Sequence, residues 1–550
     1  MITIFSNFYT FFYLFCFIVY TKSKSKQLYF IFLLQFKQKR CKFQKKYSFS
    51  QLMGCSSSQV QVSPVIQEKI QEAQVFVEEN QNFHICQFFT SFVSQISYYI
   101  ESEKQAIVID PLRDIQQYIE YSLKREAKIT HIFLTDFHSD FIGGHVDIQK
   151  QTDAQIVLGP TSMADFEYHK AKDNEIISIG KVKIQVLYTP GHTNESTCFL
   201  LLEEERQHAI FTGDTLYLEE ASFPNLAATS EQMDRNELAG HLFDSLKNKI
   251  ISLDPNLIIY PGHVTGNSRI NSAQKNKNFE GVFDTLFNQI KANASLAETD
   301  REQFKEQISG LTYVPEYYFN NIYQNQLSIS PIKEIVDKSL VFIPPNQFLQ
   351  EISKYQECFL IDTRPPEAFQ ELRIPYSINL FEWLDLDVKM RAKLQPSSKL
   401  FIISESGKEK YSITILAILG YENVLGCLEG GFEAFQKSHK IYGQIASIKS
   451  QHLSKDMHFL DLRETKDFQQ HHIKGAYNIS INSIPTAALH DLQPQALPRN
   501  KIIYVYSDAS NRSLAGCCLL NESSYYNIVH IDDSYSAIKK NKKLEFKSGL

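Results

Sequence analysis

The sequence lacks the features of a disulfide-stabilised protein. Its nine cysteines are spread over 550 residues without paired spacing, so no disulfide framework is visible and a reducing compartment is indicated. The sequence also lacks an excess of basic side chains, because 62 Asp and Glu outnumber 56 Lys and Arg and give a formal net charge of -6. This balance argues against nucleic acid as the main partner.

Acidic residues are absent from residues 1–52, although this segment holds nine Lys or Arg. The other 498 residues therefore carry a formal charge of -15. The segment contains the apolar run IFSNFYTFFYLFCFIVY, followed by the basic string TKSKSK. Three interpretations of the hydrophobic and basic segment 1–74 stay open: a signal anchor or short membrane span, an organelle transit peptide, or a segment absent from the mature chain.

A second candidate start lies at Met53, where the sequence reads MGCSSSQ. This string matches the N-myristoylation pattern at Gly54, and Cys55 beside it is a candidate for palmitoylation. The pattern functions only at a free N-terminus. If translation starts at Met53, two acyl chains would attach the protein stably to a membrane on its cytoplasmic side.

Residues 75–330 are predicted to form one domain in which strands and helices mix. QISYYIES and QAIVIDP indicate two strands of a hairpin, RDIQQYIEYSLKRE an amphipathic helix, and AKITHIFLTD a buried strand. Further strands are predicted at DAQIVLG, KVKIQVLYTPGH, STCFLLLEE, HAIFTGDTL and NLIIYPGH. The end of the domain is expected to be helical at first and then loop-like around GLTYVPEYYFNN.

Polar strings with metal-ligand chemistry follow four of these strands. The strings are TDFHSD, TPGHTNES, FTGDTL and YPGH. Alternate side chains on an extended loop can turn toward one point, and imidazole together with carboxylate suits Fe, Zn or Mn. One isolated histidine would carry little weight, but four such strings indicate a metal site. The candidate ligands are Asp136, His138, Asp140, His192, Asp214 and His263.

The order and text of these strings resemble the metallo-β-lactamase superfamily, and more closely its persulfide dioxygenase (sulfur dioxygenase) branch. That branch shows T-H-x-H-x-D-[HF], T-P-G-H-T, T-G-D-T-L and Y-P-G-H in this order, and IDPLRDI and GLTYVPEYYFNN also fit it. The resemblance covers roughly residues 84–330. It implies an α/β fold, the αββα sandwich, and one divalent metal, Fe(II), held by Asp136, His192 and Asp214.

By the same resemblance, His138, Asp140 and His263 would orient the ligands and the bound water. The implied reaction is the oxidation of a low-molecular-weight, glutathione-type persulfide by O2 to sulfite and a thiol, within sulfide metabolism and in mitochondria. Two alternatives stay open. One is a thioester-type hydrolase that uses a metal-bound hydroxide, and the other is a catalytically impaired sulfur-binding or interaction scaffold.

Three positions, Asp136, Phe223 and Asn225, depart from the pattern of this branch, and Phe141 departs only from that of the hydrolytic relatives. Asp136 stands where the family has the first loop histidine, and a carboxylate there would shift preference toward Mn or Mg and change the iron potential. Phe141 stands where hydrolytic relatives keep a histidine of the second metal site, so it favours one metal over two. Phe223 and Asn225 replace the Arg and Asp of a G-R-P-D-L-like stretch, which removes the usual partner of a glutathione carboxylate.

Residues 336–440 and 446–545 form an internal repeat. Both copies contain a D-x-R string and alternate strand with helix, which predicts two small parallel α/β domains, and both resemble rhodanese domains. The nucleophilic loop of that family reads C-x-x-G-x-R, but Ser404 in SESGKE and Ser507 in SDASNR occupy the cysteine position. Because a serine hydroxyl cannot carry a persulfide, structural or docking roles are predicted for both domains.

Overall fold

The computed structural model describes residues 74–224, 234–264, 281–308, 316–380, 394–439, 443–484, 497–498, 501–522, 525 and 527–549. The predictions for Gly54, Cys55 and Asn225 lie outside these residues. No helix within the described ranges has both the length and the apolar character that crossing a bilayer requires.

Two β-sheets pack face to face in the N-terminal part of the described chain. The first has seven strands whose spatial order follows the chain, and the second has six. The strands of the first sheet are Gln74–Glu79, His84–Thr90, Gln95–Ser102, Gln105–Ile109, Lys128–Phe133, Gln155–Leu158 and His169–Lys170. Those of the second, in spatial order, are Asp284–Thr285, Ile258–Pro261, Arg206–Gly213, Thr197–Glu203, Val182–Tyr188 and Ile176–Ile179.

The central strands are buried on both faces because each sheet is covered on both sides. Gln95–Ser102, for example, is buried along its whole length. Between the sheets, Ile107 and Phe133 of the first belong to one core cluster with Phe199 and Phe211 of the second. This shared core fixes which strand ends lie next to each other.

Helices cover the outer face of each sheet. Gln116–Arg125 and His145–Thr152 lie over the first sheet. The second is covered by Arg235–Ser245, its π-helical continuation Leu246–Ile250, and the helices Leu286–Ala292, Ala294–Ala297 and Arg301–Ile308. The resulting αββα order of layers confirms the predicted fold class.

The segment that follows these layers corrects one prediction. GLTYVPEYYFNN is expected to be loop-like, but Glu316–Asn325 forms a helix. Tyr, Phe and Asn have modest helix propensity, so the local sequence gives a weak signal. The helix is stabilised instead by packing, since Tyr318 and Ile322 contact the core beneath the first sheet.

Each of the two C-terminal domains contains a five-stranded sheet in which all pairings are parallel. In spatial order, the first sheet contains Phe342–Ile343, Val424–Leu428, Leu400–Ile403, Phe359–Asp362 and Ser377–Asn379. The second contains Ala446–Ile448, Ile528–Ile531, Ile503–Tyr506, His458–Asp461 and Tyr477–Asn478. The short strands His472–Ile473 and Phe546–Lys547 pair separately. The parallel α/β prediction is confirmed.

Helices precede, connect and follow these parallel strands. In the first C-terminal domain they are Ile332–Ser339, Pro345–Ile352, Pro366–Glu371, Glu409–Ile418 and Gly431–Ser438. In the second they are Ser450–His452, Thr465–Gln470, Ile481–Ser483, Ser510–Glu522 and Tyr535–Ile538. The shared D-x-R string makes the same buried ion pair in both copies, Arg364 with Asp362 and Arg463 with Asp461.

One apolar cluster joins the sandwich to both C-terminal domains. It contains Leu112 and Phe141 of the sandwich, Ile418 and Leu419 of the first C-terminal domain, and Cys517 of the second. Phe141 lies in the loop that carries the first candidate ligands. That loop is therefore packed against a neighbouring domain.

Candidate metal centre

All six candidate ligands meet at one end of the sandwich, where strands of both sheets stop. Asp136, His138 and Asp140 follow the strand Lys128–Phe133 of the first sheet, and the other three follow strands of the second. The side chains form two groups, in each of which the ligand atoms lie within 4.8 Å of one another. The groups are Asp136, His192 and Asp214, and His138, Asp140 and His263.

Asp136 has one carboxylate oxygen that no protein group satisfies. Its side chain is 4% exposed. Oδ1 lies 3.1 Å from Thr135 Oγ1, whose hydrogen is donated to Asp110, whereas Oδ2 has no hydrogen-bond partner. Burial raises the pKa of Asp136, against the opposing charge of His138. Because an unpaired buried carboxylate is unfavourable, a cation between Asp136, His192 and Asp214 would stabilise it.

His192 is oriented by a backbone carbonyl. Its Nδ1 lies 2.8 Å from Phe223 O and 2.8 Å from Ser222 Oγ. Since a carbonyl only accepts, we assign the proton to Nδ1, which leaves the lone pair on Nε2. Nε2 lies 3.7 Å from Asp214 Oδ2. A metal-binding histidine is commonly fixed in this way, through a hydrogen bond from its other ring nitrogen.

His263 lies between two carboxylates. Its Nδ1 is 2.6 Å from Asp214 Oδ1, and its Nε2 is 3.1 Å from Asp140 Oδ2. Burial alone would lower the pKa of His263, but Asp214 and Asp140 raise it to about 10. The imidazolium donates to both carboxylates. It thereby holds Asp214 through Oδ1 and leaves Oδ2 directed toward His192.

The His138 side chain is buried among carboxylates, and neither of its ring nitrogens has a hydrogen-bond partner. Its Nε2 lies 3.5 Å from Asp110 Oδ1, and its Nδ1 lies 3.7 Å from Asp214 Oδ2 and 3.9 Å from Asp136 Oδ1. Burial would lower the pKa of His138, but Asp136 and Asp110 hold it well above its usual range. These two carboxylates thus favour the protonated form of His138.

Phe141 covers one face of His138. The ring centroids are 4.6 Å apart and the rings stack at an angle of 26°. Phe141 is fully buried and also faces the cluster that joins the domains. Since a phenyl ring offers no ligand atom, Phe141 adds no metal ligand beside the group of His138, Asp140 and His263.

Asp110 contributes to the centre but is missed by the sequence prediction. It follows the strand Gln105–Ile109 with a left-handed φ of 49°. Its two carboxylate oxygens accept hydrogen bonds from Thr135 N and Thr135 Oγ1, both at 2.8 Å. Asp110 therefore fixes the start of the loop that carries Asp136. The available signal was an aspartate directly after a buried strand, within IDPLRDI.

Gly213 permits the close approach of two loops. Its φ is +49°, and a Cβ on it would lie 2.2 Å from Thr135 Oγ1. Only glycine fits at such a position without displacing the facing side chain. Asp214, the next residue, is thereby brought beside the loop of Asp136.

Comparison with known proteins assigns the domains. Residues 91–263 match the metallo-beta-lactamase superfamily, and residues 345–438 and 446–541 match the rhodanese-like domain. The chain contains a metallo-β-lactamase domain followed by two rhodanese-like domains. These assignments agree with the αββα layers and with the two parallel sheets.

Two relatives of the metallo-β-lactamase domain are named as hydrolases. A probable hydroxyacylglutathione hydrolase of Schizosaccharomyces pombe is 29% identical over 185 residues, which are 33% of this chain and 68% of the relative. A hydroxyacylglutathione hydrolase of Francisella tularensis subsp. novicida is 32% identical over 178 residues, or 32% of this chain and 65% of the relative. The matched segment thus spans only about two thirds of each relative.

A solved structure shares the fold over a longer part of the chain. The metallo-beta-lactamase from Staphylococcus aureus subsp. aureus COL aligns with a TM-score of 0.54 at 23% identity. The alignment covers 64% of this chain and 99% of that one. At this level of identity the likeness describes the fold alone.

The SESGKE loop of the first rhodanese-like domain is buried at Ser404 and Glu409 and forms a hydrogen bond within itself. Ser404 is 1% exposed, and its hydroxyl has no hydrogen-bond partner. Glu409, which stands at the arginine position of C-x-x-G-x-R, is also buried and accepts a hydrogen bond from Gly407 N at 2.8 Å. A carboxylate therefore takes an amide that would otherwise face an anionic sulfur.

The loop of the second rhodanese-like domain is also internally paired. Ser507 Oγ donates to Asp508 Oδ1 at 2.7 Å, and Arg512 forms an ion pair with Asp508. The cysteines of these domains lie elsewhere. Cys427, Cys517 and Cys518 are buried, whereas Cys358 is only partly buried.

Proposed function

We propose that this protein is a metal-dependent persulfide dioxygenase. It would convert a low-molecular-weight persulfide, O2 and water into a thiol, sulfite and two protons. The observation that carries the proposal is the group of Asp136, His192 and Asp214, in which Asp136 Oδ2 is buried without a partner. Two carboxylates and one oriented imidazole form a donor set suited to a divalent cation.

The charge around this group also fits a cation. Asp110, Asp136 and Asp214 are all buried around the centre. Buried carboxylates that lie close together repel one another unless a cation lies among them. Metal binding would release protons from the centre, as expected where ligands must be deprotonated. A bound Fe(II) would supply redox chemistry and open positions for the persulfide sulfur and O2.

Two residues favour one metal over two. Phe141 provides no ligand atom, and its ring covers one face of His138. Both ring nitrogens of His263 are already engaged by Asp214 and Asp140. This supports a mononuclear centre and disfavours a two-metal hydrolase.

The residue beside His192 bears on the substrate. The Phe223 side chain is 44% exposed, and its ring centroid lies 6.3 Å from that of His192. Its carbonyl orients His192, while its ring presents an apolar surface next to the centre. It offers no cation for a substrate carboxylate. We therefore expect glutathione persulfide to bind less tightly than a persulfide with an apolar, uncharged thiol part.

A second candidate function is thioester hydrolysis. It is favoured by one observation, the names of the two relatives, which are hydroxyacylglutathione hydrolases. Such a reaction would use water activated by the bound metal. It requires neither O2 nor a redox-active ion, which separates the two proposals experimentally.

The test uses the full chain loaded separately with Fe(II) under anaerobic conditions and with Zn(II). Oxygen uptake and sulfite formation are measured with glutathione persulfide and with an uncharged alkyl persulfide. Thioester cleavage is measured with a glutathione thioester. We expect sulfite with Fe(II) only, and no thioester cleavage with either metal.

A matched pair of variants controls this test. His192→Ala removes a proposed ligand, whereas His169→Ala removes a histidine that also pairs with a carboxylate, Glu175 at 2.6 Å, outside the centre. We expect activity to be lost in the first and kept in the second. Thioester cleavage with Zn(II) and no sulfite with Fe(II) would favour the hydrolase. No bound metal in the wild-type chain would refute both proposals.

A further inference from the structure

The loop of residues 136–143, here called the metal loop, takes hydrogen-bond partners from distant parts of the chain. It lies between the strand Lys128–Phe133 and the helix His145–Thr152 and contains no strand or helix. Buried backbone groups nevertheless require hydrogen-bond partners. For the metal loop, several of these partners come from residues more than 180 positions away along the chain.

Asn325 binds the metal loop at three points. Its Nδ2 donates to His138 O at 2.8 Å and to Phe141 O at 2.9 Å, and its Oδ1 accepts from Gly143 N at 2.7 Å. The side chain is 3% exposed. An asparagine amide can make four hydrogen bonds, and Asn325 makes three of them with the metal loop. Asn325 thus sets the path of the backbone through His138.

The metal loop also contacts the first rhodanese-like domain directly. Ile142 N donates to Ile418 O at 2.7 Å. Asn321 lies one turn before Asn325 and is fully buried. Its Nδ2 donates to Ser139 O at 3.1 Å and lies 3.5 Å from Leu419 O. Ile418 is the last residue of the helix Glu409–Ile418. The metal loop is therefore held between the helix Glu316–Asn325 and the end of this second helix.

Arg113 completes the contact from the sandwich. It is 1% exposed, and its Nη1 donates to Ala417 O at 2.9 Å and pairs with Glu422. Its Nη2 donates to Ser330 O at 3.2 Å. The last carbonyls of a helix lack partners inside the helix and attract cations. Here the metallo-β-lactamase domain supplies those partners to the helix of the rhodanese-like domain.

We propose that the first rhodanese-like domain is a structural part of the metal centre, and that Asn325 is a positioning residue that sets the metal affinity. This inference rests on the proposed metal group of Asp136, His192 and Asp214. Asp136 begins the metal loop, so its direction depends on the contacts that hold the loop. Loss of the hydrogen bonds from Asn325 would let Asp136 move away from the other two ligands.

The test measures Co2+ binding to the full metal-free chain, by titration and by the visible absorption of bound Co2+. We expect Asn325→Ala to weaken Co2+ binding roughly 10-fold to 100-fold, the usual effect of losing a residue that orients ligands. We also expect its visible spectrum to change, because the ligand geometry changes. Arg113→Met, which removes the contact to Ala417, is expected to shift both readouts in the same direction.

Asn478→Ala is the matched control. Asn478 also donates two hydrogen bonds to loop carbonyls, Asp461 O at 3.0 Å and Arg463 O at 2.9 Å, but in the second rhodanese-like domain. We expect Asn478→Ala to lower the free energy of unfolding about as much as Asn325→Ala does. Its Co2+ affinity and its visible spectrum are expected to match those of the wild type. If Asn325→Ala does not fold, Asn325→Asp keeps the acceptor for Gly143 N and loses the donors, and the same shifts are expected.

The outcomes separate the two proposals. If the wild-type chain binds no Co2+, the proposed metal site is wrong and this inference fails with it. If the wild-type chain binds Co2+ and the Asn325 variants match it in affinity and spectrum, only the inference fails. Equal weakening in Asn325→Ala and Asn478→Ala would also overturn it, because the effect would then be a general loss of stability.

Discussion

His145 is expected to make the metallo-β-lactamase domain sensitive to acid. It begins the helix His145–Thr152 directly after the metal loop and is buried, with its Nε2 3.1 Å from Asn325 O and no partner for Nδ1. Burial lowers the pKa of His145 to about 4. The folded protein therefore holds a neutral imidazole at pH values where an unfolded chain would hold an imidazolium.

The size of this acid sensitivity follows from the pKa of His145 in the folded protein and in the unfolded chain. A histidine in an unfolded chain is protonated near pH 6.5, whereas His145 in the folded protein is protonated near pH 4. The pKa of His145 is lower in the folded protein than in the unfolded chain. Its contribution to the free energy of unfolding is therefore fully present above pH 6.5 and is lost as the pH falls toward 4. The full loss is about 3 kcal/mol, of which about 2 kcal/mol is reached by pH 5.

The measurement compares wild type with His145→Gln, in which a side-chain amide can still donate to Asn325 O. Urea unfolding of the chelator-treated proteins is followed by circular dichroism at pH 7.5 and pH 5. Carboxylates elsewhere titrate alike in both chains, so their contribution cancels. Wild type is expected to lose about 2 kcal/mol more than the variant. Equal losses in the two proteins would refute the reasoning.

Four further predictions concern the centre and the rhodanese-like loops. Asp136→His, which restores the imidazole of the family pattern, is expected to raise the iron content of the purified chain, and unchanged iron by elemental analysis would contradict this. Phe141→His is expected to raise the metal content from one ion toward two per chain, and a value that stays at one would argue against a ligand role for this position. Phe223→Arg is expected to lower KM for glutathione persulfide several-fold with little change in kcat, because a guanidinium pairs with a carboxylate; an unchanged KM would place the substrate elsewhere. Ser404→Cys alone is expected to gain no thiosulfate sulfurtransferase activity, because Glu409 still accepts from the loop amide, and activity in this single variant would show that Glu409 is no obstacle.

The sequence predicts which candidate side chains come together at the centre, because each of them directly follows a strand. Asp136, His192 and Asp214 lie in short strings whose residue types and turns are local properties. Once the strands are predicted, their ends meet at one edge of the sandwich. The same local reasoning predicts the α/β class, since buried strands and amphipathic helices each have a recognisable period.

The contacts that hold the centre in place could not be predicted in this way. Asn325 is 187 residues from His138 and 184 from Phe141, and no motif marks it. Its helix was predicted as a loop because the sequence there is rich in Tyr, Phe and Asn. Arg113 likewise donates to the carbonyl of Ala417, 304 residues away. Such partners follow from tertiary packing, which a local pattern does not contain.

The helix Glu409–Ile418 has two ends in different surroundings. Its first residue, Glu409, belongs to the loop in which Ser404 occupies the cysteine position, whereas its last turn meets the metallo-β-lactamase domain. If the proposed support of the metal loop holds, substitutions in the last turn would alter metal binding, while substitutions beside Ser404 would leave it unchanged. One helix would then tolerate sequence change at one end and resist it at the other.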